Sequence, residues 1–121
     1  MYELVLQKSF AGAHNLRGYD GECEKLHGHN WKVEVTLKSK EIDKLGMVID
    51  FKIVKKILEE ILSRFDHSYL NDLEEFQQEN PTTENVSKIV YENLNGKLPP
   101  EISVAKVKTW ESENCAAAYY V

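Results

Sequence analysis

The stretch Cys23-Glu24-Lys25-Leu26-His27-Gly28-His29-Asn30 puts a thiol four residues before a His-x-His pair. On a β-strand, side chains two apart point to the same face, with Cα atoms roughly 6.6 Å apart. Two imidazoles so placed can converge on one metal ion at about 2.0–2.1 Å. Gly28, between them, adds no side chain to the opposite face, so other backbone can approach closely there. A third histidine, His14, lies upstream in Phe10-Ala11-Gly12-Ala13-His14-Asn15. Three neutral nitrogens with an open fourth position are the arrangement of a catalytic zinc rather than a closed structural one. Such ligands leave the ion at full positive charge, suited to polarising a hydroxyl or carbonyl oxygen.

Three further positions could carry chemistry. Cys23 sits among Gly21, Glu22, Glu24 and Lys25, a polar loop rather than a core run. A loop thiol near a metal or an imidazole can have a lowered pKa and act as a base; the plain alternative is a small buried hydrophobe. Asp66-His67 reads either as a turn beyond a helix or as a proton-transfer unit, in which a carboxylate fixes the imidazole tautomer. Glu111, after Trp110 at a strand end, is either a solvated carboxylate or an acceptor for the paired N–H groups of a heterocycle.

The elements that must position these groups follow from periodicity. Residues 2–13 read as a strand in which Leu4 and Leu6 alternate with polar neighbours, and residues 14–26 as a loop with Gly18, Asp20 and Gly21. A second strand spans about 27–39, with Trp31, Val33, Val35 and Leu37 on one face. His27 and His29 share that parity, which requires either a bulge or a site at the end of the packed face. Asp50 caps a helix through about Arg64, where Val54, Ile57, Leu58, Ile61, Leu62 and Phe65 repeat at helical spacing. A loop to about 81 follows. Pro81-Thr82-Thr83-Glu84-Asn85 opens a second helix, capped by Thr82 or Thr83, with Val86, Ile89, Val90 and Leu94 as its stripe. Asn95-Gly96 ends it and Pro99-Pro100 prevents resumption. A strand from Ile102 to Glu111 sets Ile102, Val104, Lys106, Lys108 and Trp110 against Ser103, Ala105, Val107 and Thr109, and residues 115–120 form a last short strand.

The order is ββααββ, an α+β domain spanning 1–121 with two helices on one face of a four-stranded antiparallel sheet. The other face and both edges then need partners, which predicts a homo-oligomer with sheets joined edge to edge. The chain of 121 residues has the length of one domain, and its 20 acidic and 15 basic residues give a net charge of −5. No basic stripe marks a nucleic-acid binder and no apolar run marks a membrane span. Two cysteines, Cys23 and Cys115, could form a disulfide, but without a signal peptide or a dense cysteine framework they read as reduced thiols in the cytoplasm.

The pattern His14 … Cys23-x-x-x-His27-Gly28-His29-Asn30, Asp50-Phe51, Asp66-His67, Pro81-Thr82-Thr83-Glu84-Asn85 and Thr109-Trp110-Glu111-Ser112 resembles the 6-pyruvoyl-tetrahydropterin synthase family, and within it the 6-carboxy-tetrahydropterin synthase (QueD) branch. The resemblance covers essentially the whole chain, with the motifs in family order. It implies a tunnelling fold (T-fold), three subunits per barrel and two stacked barrels in a hexamer. It implies zinc (Zn2+) on His14, His27 and His29, Cys23 as the base, and Asp66 with His67 as the proton-transfer pair, contributed across a subunit boundary. It implies Glu111 as the anchor of the pterin edge, with Thr82, Thr83 and Glu84 near the pterin; helix capping accounts equally well for Thr82. The implied substrate is 7,8-dihydroneopterin triphosphate, and the implied products are 6-carboxy-tetrahydropterin, acetaldehyde and triphosphate, on the route to 7-deazaguanine. No redox cofactor is implied, because the rearrangement is internal.

Alternatives stay open. The pyruvoyl branch loses only triphosphate. Glu24 beside Cys23 also resembles a branch that uses glutamate as base and forms 6-hydroxymethyl-dihydropterin, and a chain holding both looks like a dual-function member; the plain alternative for Glu24 is an ordinary loop carboxylate. A non-catalytic zinc- or pterin-binding scaffold would keep the histidines but have no use for Cys23, Asp66 and His67 together. A metal-independent dihydroneopterin aldolase is disfavoured by the His-x-His pattern. For the triphosphate, Lys8, Arg17 and Lys25 are candidates by charge alone.

Overall fold

The computed structural model describes residues 1–18 and 26–121. Strand β1 (Tyr2–His14) and strand β2 (His27–Ser39) pair antiparallel in unbroken register, from Tyr2 opposite Ser39 to His14 opposite His27. Helix α1 (Phe51–Leu62) starts at Asp50, whose carboxylate accepts from the Lys52 N–H at 2.9 Å. It ends at Leu62, two residues before the expected limit, and Phe65 still packs into the core from the following turn. A two-residue strand β3 (Ser68–Tyr69) and two short 3₁₀ turns fill the connection to helix α2 (Thr83–Asn95). Strands β4 (Ser103–Trp110) and β5 (Ala116–Tyr119) complete the chain.

The sheet order is β3-β1-β2-β4-β5. The expected four antiparallel strands are there, and β3 adds a fifth, parallel to β1 through Gly12–Ser68 and Ala13–Tyr69. Both helices cover one face. Trp31, Val33, Val35 and Leu37 of β2 are fully buried beneath Val54 and Leu58 of α1 and Val86, Val90 and Leu94 of α2. Buried Ser87 ties α2 to the sheet, its hydroxyl within 2.8 Å of the Thr109 hydroxyl and 2.9 Å of the Ala117 carbonyl.

One strand departs from simple alternation. β4 pairs Thr36 with Lys106 but Leu37 with Val104, so Ala105 is an extra residue, a β-bulge. Ile102 and Val104 face the core before it; Val107 and Thr109 face the core after it. Trp110 therefore lies on the opposite face from Ile102 and Val104, contrary to strict alternation. Its ring lies under the ammonium groups of Lys32 and Lys108, at 5.0 and 4.8 Å, on the helix-free side. The same shift aims the next residue, Glu111, toward the helix-covered side.

Candidate metal centre

The parity of the histidines resolves without a bulge in β2: the site lies at the end of the packed face. His14 and His27 are cross-strand partners, and His29 is opposite Gly12. Trp31 forms the floor. Its indole stacks on Phe10 at 5.7 Å, donates to the Gly12 carbonyl at 3.2 Å, and meets the His14 and His29 rings edge-on at 4.8 and 5.8 Å. A side chain at Gly12 would bring its Cβ to 3.2 Å from the Phe10 ring and 3.4 Å from the Phe65 carbonyl, so the ring would have to shift by a few tenths of an ångström to admit it.

Glu111 enters the histidine cluster. Its Oε1 lies 3.0 Å from His14 Nε2, 3.0 Å from His29 Nε2 and 3.6 Å from His27 Nε2. One ligand atom from each of these four residues falls within 4.8 Å of the others. The gathering of Glu111 with the histidines was not legible in sequence, because it depends on the β4 bulge.

Tautomers test whether the group fits a metal. His14 Nδ1 is 2.7 Å from the Pro81 carbonyl, which can only accept, so Nδ1 carries the hydrogen. In neutral His14 the Nε2 lone pair then faces a carboxylate oxygen. Two acceptors at that distance repel unless a proton or a metal ion lies between them. His29 Nε2 is buried and, although 3.0 Å from Oε1, lies off hydrogen-bonding geometry, leaving it unsatisfied. Burial, the largest influence, holds the His29 pKa below its ordinary value against the opposing charge of Glu111, with His27 and His14 adding to the lowering. That favours the neutral ligand form. Burial pushes the Glu111 carboxyl up, but His14 and His29 outweigh it and keep the pKa low. The donor set fits a divalent ion of the zinc type, with Pro81 orienting one ligand from behind.

The other predicted residues divide. Thr82 caps α2, accepting from the Asn85 N–H at 3.1 Å, which is the capping account of that hydroxyl. The Thr83 hydroxyl reaches Glu111 Oε2 at 3.4 Å, and Glu84 is exposed in the first turn. Asp66 and His67 form a pair of their own: His67 Nδ1 is 3.1 Å from Asp66 Oδ2. They clip β1, because Asp66 Oδ1 accepts from the Ala11 N–H at 2.9 Å and the His67 N–H donates to the Ala11 carbonyl at 2.6 Å. The Ala11 hydrogen bond is the main reason the Asp66 pKa lies below its ordinary value. His67 adopts a left-handed φ of 55°, uncommon outside glycine. His67 and His29 line one shallow cleft of about 560 Å³, together with Tyr69 and Asn30.

Cys23, Glu24 and Lys25 lie outside the described residues, and Cys115 is an exposed free thiol. Two of the cations singled out for triphosphate are engaged elsewhere. The Lys8 ammonium pairs with Glu59 at 2.8 Å. The Arg17 guanidinium donates to the carbonyls of Phe76 and Glu79 and to the Asn80 side chain, pinning the segment after β1 to the approach of α2. The amide of Asn80, which bonds both the N–H and the carbonyl of Arg17, went unnoticed in sequence because a lone loop asparagine carries no spacing signal.

The profile of the 6-pyruvoyl tetrahydropterin synthase family matches residues 3–121. A 6-carboxy-5,6,7,8-tetrahydropterin synthase of Bacillus subtilis is 34% identical, over 80% of this chain and 68% of its own. A dihydroneopterin monophosphate aldolase of Pyrococcus furiosus is 33% identical, over 89% of this chain and 88% of its own. The structure of 6-pyruvoyl tetrahydropterin synthase from Caenorhabditis elegans superposes with a TM-score of 0.88 at 29% identity, covering 99% of this chain and 95% of that one. With the fold, the histidine cluster and the extent of the match in agreement, the chain belongs to the 6-pyruvoyl tetrahydropterin synthase family.

Proposed function

We propose that this protein is a zinc-dependent lyase that converts 7,8-dihydroneopterin triphosphate and one water molecule to 6-carboxy-5,6,7,8-tetrahydropterin, releasing acetaldehyde and triphosphate. The observation that carries the reading is the convergence of three imidazoles and one carboxylate at the end of the β1–β2 ladder, in a chain whose relatives include a 6-carboxy-tetrahydropterin synthase. His14, His27 and His29 would hold the ion, which when bound supplies Lewis-acid polarisation of side-chain oxygens. Glu111 accepts the paired N–H groups of the pterin edge, with Thr83 steadying its second oxygen. Cys23 takes a proton from the side chain as a thiolate. His67, held by Asp66, returns a proton, acting at the site of a neighbouring subunit in a cytoplasmic hexamer.

Product analysis tests this. Wild type supplied with dihydroneopterin triphosphate forms the carboxy product, and Cys23→Ala forms at least about a hundredfold less, in line with removal of a proton-transfer group. Undiminished carboxy product from Cys23→Ala overturns the thiol-base role. A second reading is favoured by Glu24 standing beside Cys23, and by the aldolase among the relatives: side-chain cleavage to 6-hydroxymethyl-dihydropterin with Glu24 as base. That product then disappears in Glu24→Ala while the carboxy product persists.

A further inference from the structure

Beyond His14 the chain leaves the ladder of β1 and β2, and two asparagine side chains take over the bonding of its backbone. The Asn71 amide accepts from the Asn15 N–H at 3.0 Å and donates to the Asn15 carbonyl at 2.9 Å. The Asn80 amide does the same for Arg17, with both bonds at 2.9 Å. A carboxamide offers an acceptor and a donor side by side, as a strand neighbour would; a carboxylate lacks the donor and an aliphatic side chain lacks both. Asn80 also governs the group behind His14. Its carbonyl accepts from the Thr82 N–H at 2.8 Å and from the Asn85 side-chain amide at 2.8 Å. Pro81 is thereby the centre of a tight turn, and its ring fixes φ there. That turn aims the Pro81 carbonyl, which lies 2.7 Å from His14 Nδ1. The contacts close a circuit: the chain from His14 to Arg17, the amide bracket to Asn80, one peptide to Pro81, and the hydrogen bond back to His14.

We propose that Asn80 is a positioning residue for His14: it sets where the Pro81 carbonyl stands, and so keeps the ring hydrogen on Nδ1 and turns Nε2 toward the ion. Asn71, buried in the turn after β3, assists by holding the residue next to the ligand. The inference rests on the metal-dependent reading above. A backbone carbonyl has no side chain of its own to vary, so its direction is set by its neighbours, and Asn80 takes part with both its side chain and its main chain. Outer partners of this kind fix the tautomer and the ring direction of a ligating histidine.

The test uses full-length protein loaded with zinc or with cobalt(II). Zinc affinity is measured by competition with a chromophoric chelator for wild type, Asn80→Ala and Asn80→Asp. Val104→Ala, a core truncation at the end of β4 far from the histidines, is the destabilised control, and urea unfolding is followed for all four. Asn80→Ala weakens zinc binding about tenfold or more, the loss typical of a removed outer partner. Asn80→Asp keeps the size and the acceptor but lacks the donor; it weakens zinc binding in the same direction and carries the test if the alanine variant does not fold. Val104→Ala unfolds at lower urea yet binds zinc within about twofold of wild type. The visible bands of the cobalt protein move in Asn80→Ala and stay in place in Val104→Ala. Zinc affinity within about twofold of wild type in the folded Asn80 variants overturns the proposal. So does a cobalt spectrum unmoved by Asn80→Ala, or an equal loss of zinc affinity in Val104→Ala. Weakened zinc binding in the Asn80 variants without turnover of dihydroneopterin triphosphate by wild type sinks the enzymatic reading and leaves the positioning role standing. Turnover by wild type with unaltered zinc affinity in those variants does the reverse.

Discussion

Asp66 shows how a single side chain can be both scaffold and chemistry. Its carboxylate caps the Ala11 N–H and touches the His67 ring, so the turn that ends α1 is fastened to β1 by the same group proposed to orient a proton donor. Because the folded pKa is lowered, chiefly by the Ala11 bond, the native state favours the ionised form. The stabilisation is present above the unfolded value of about 3.9 and is lost as pH falls through the lower folded value. The stability difference between wild type and Asp66→Asn, followed by urea unfolding, should therefore be constant above about pH 5 and shrink below pH 4. A difference that grows on acidification contradicts the assigned hydrogen bond. At this scale the histidines were legible from spacing alone, since a period of two on a strand places His27 and His29 together whatever surrounds them. The Pro81 carbonyl behind His14 and the carboxylate of Glu111 in front of it were not, because both come from remote segments of the chain.

Among the elements, β4 decides the geometry of the site. The Ala105 bulge lets Ile102 and Val104 face the helices and also turns Val107, Thr109 and then Glu111 to the same side. Deleting Ala105 restores strict alternation, which must expel one of these two sets. Loss of Ile102 and Val104 from the core costs about 3 kcal/mol or more at 1.5–3 kcal/mol per aliphatic side chain. If the first half keeps its register instead, Glu111 turns away from the histidines. Urea unfolding and turnover of dihydroneopterin triphosphate by the deletion variant check this; wild-type stability together with full turnover contradicts the bulge's role. The helices themselves were readable. Asp50 and Thr82 are capping residues followed by apolar positions at helical spacing, and both caps form. The β4 pattern misled because alternating lysines and valines look the same with or without one inserted residue.

For the molecule as a whole, both helices lie over one face, so among the described residues the sheet's other face and its outer edges have no cover. Val5 is 53% exposed on the helix-free side, and β5, only four residues long, ends the sheet with an open row of backbone groups. Open edges are templates for pairing, and joining sheets would bury surface that a small chain cannot cover alone. Sedimentation velocity at micromolar concentration should therefore show an assembly of several subunits, six in the proposed hexamer. A monomer there contradicts the edge-to-edge argument and removes the neighbour to which His67 is assigned. None of the helices in the described residues is long and apolar enough to cross a membrane.

Local periodicity and capping chemistry, written into adjacent residues, were enough for the sequence to specify two long strands, two amphipathic helices and a histidine pair sharing a strand face with its apolar core. Only the tertiary structure decided that His14 would sit opposite His27, that a single extra residue would swing Glu111 into their midst, and that Lys8 and Arg17 would be engaged elsewhere. Those outcomes depend on register and on contacts between segments far apart in the chain, where a shift of one residue reverses every side chain beyond it.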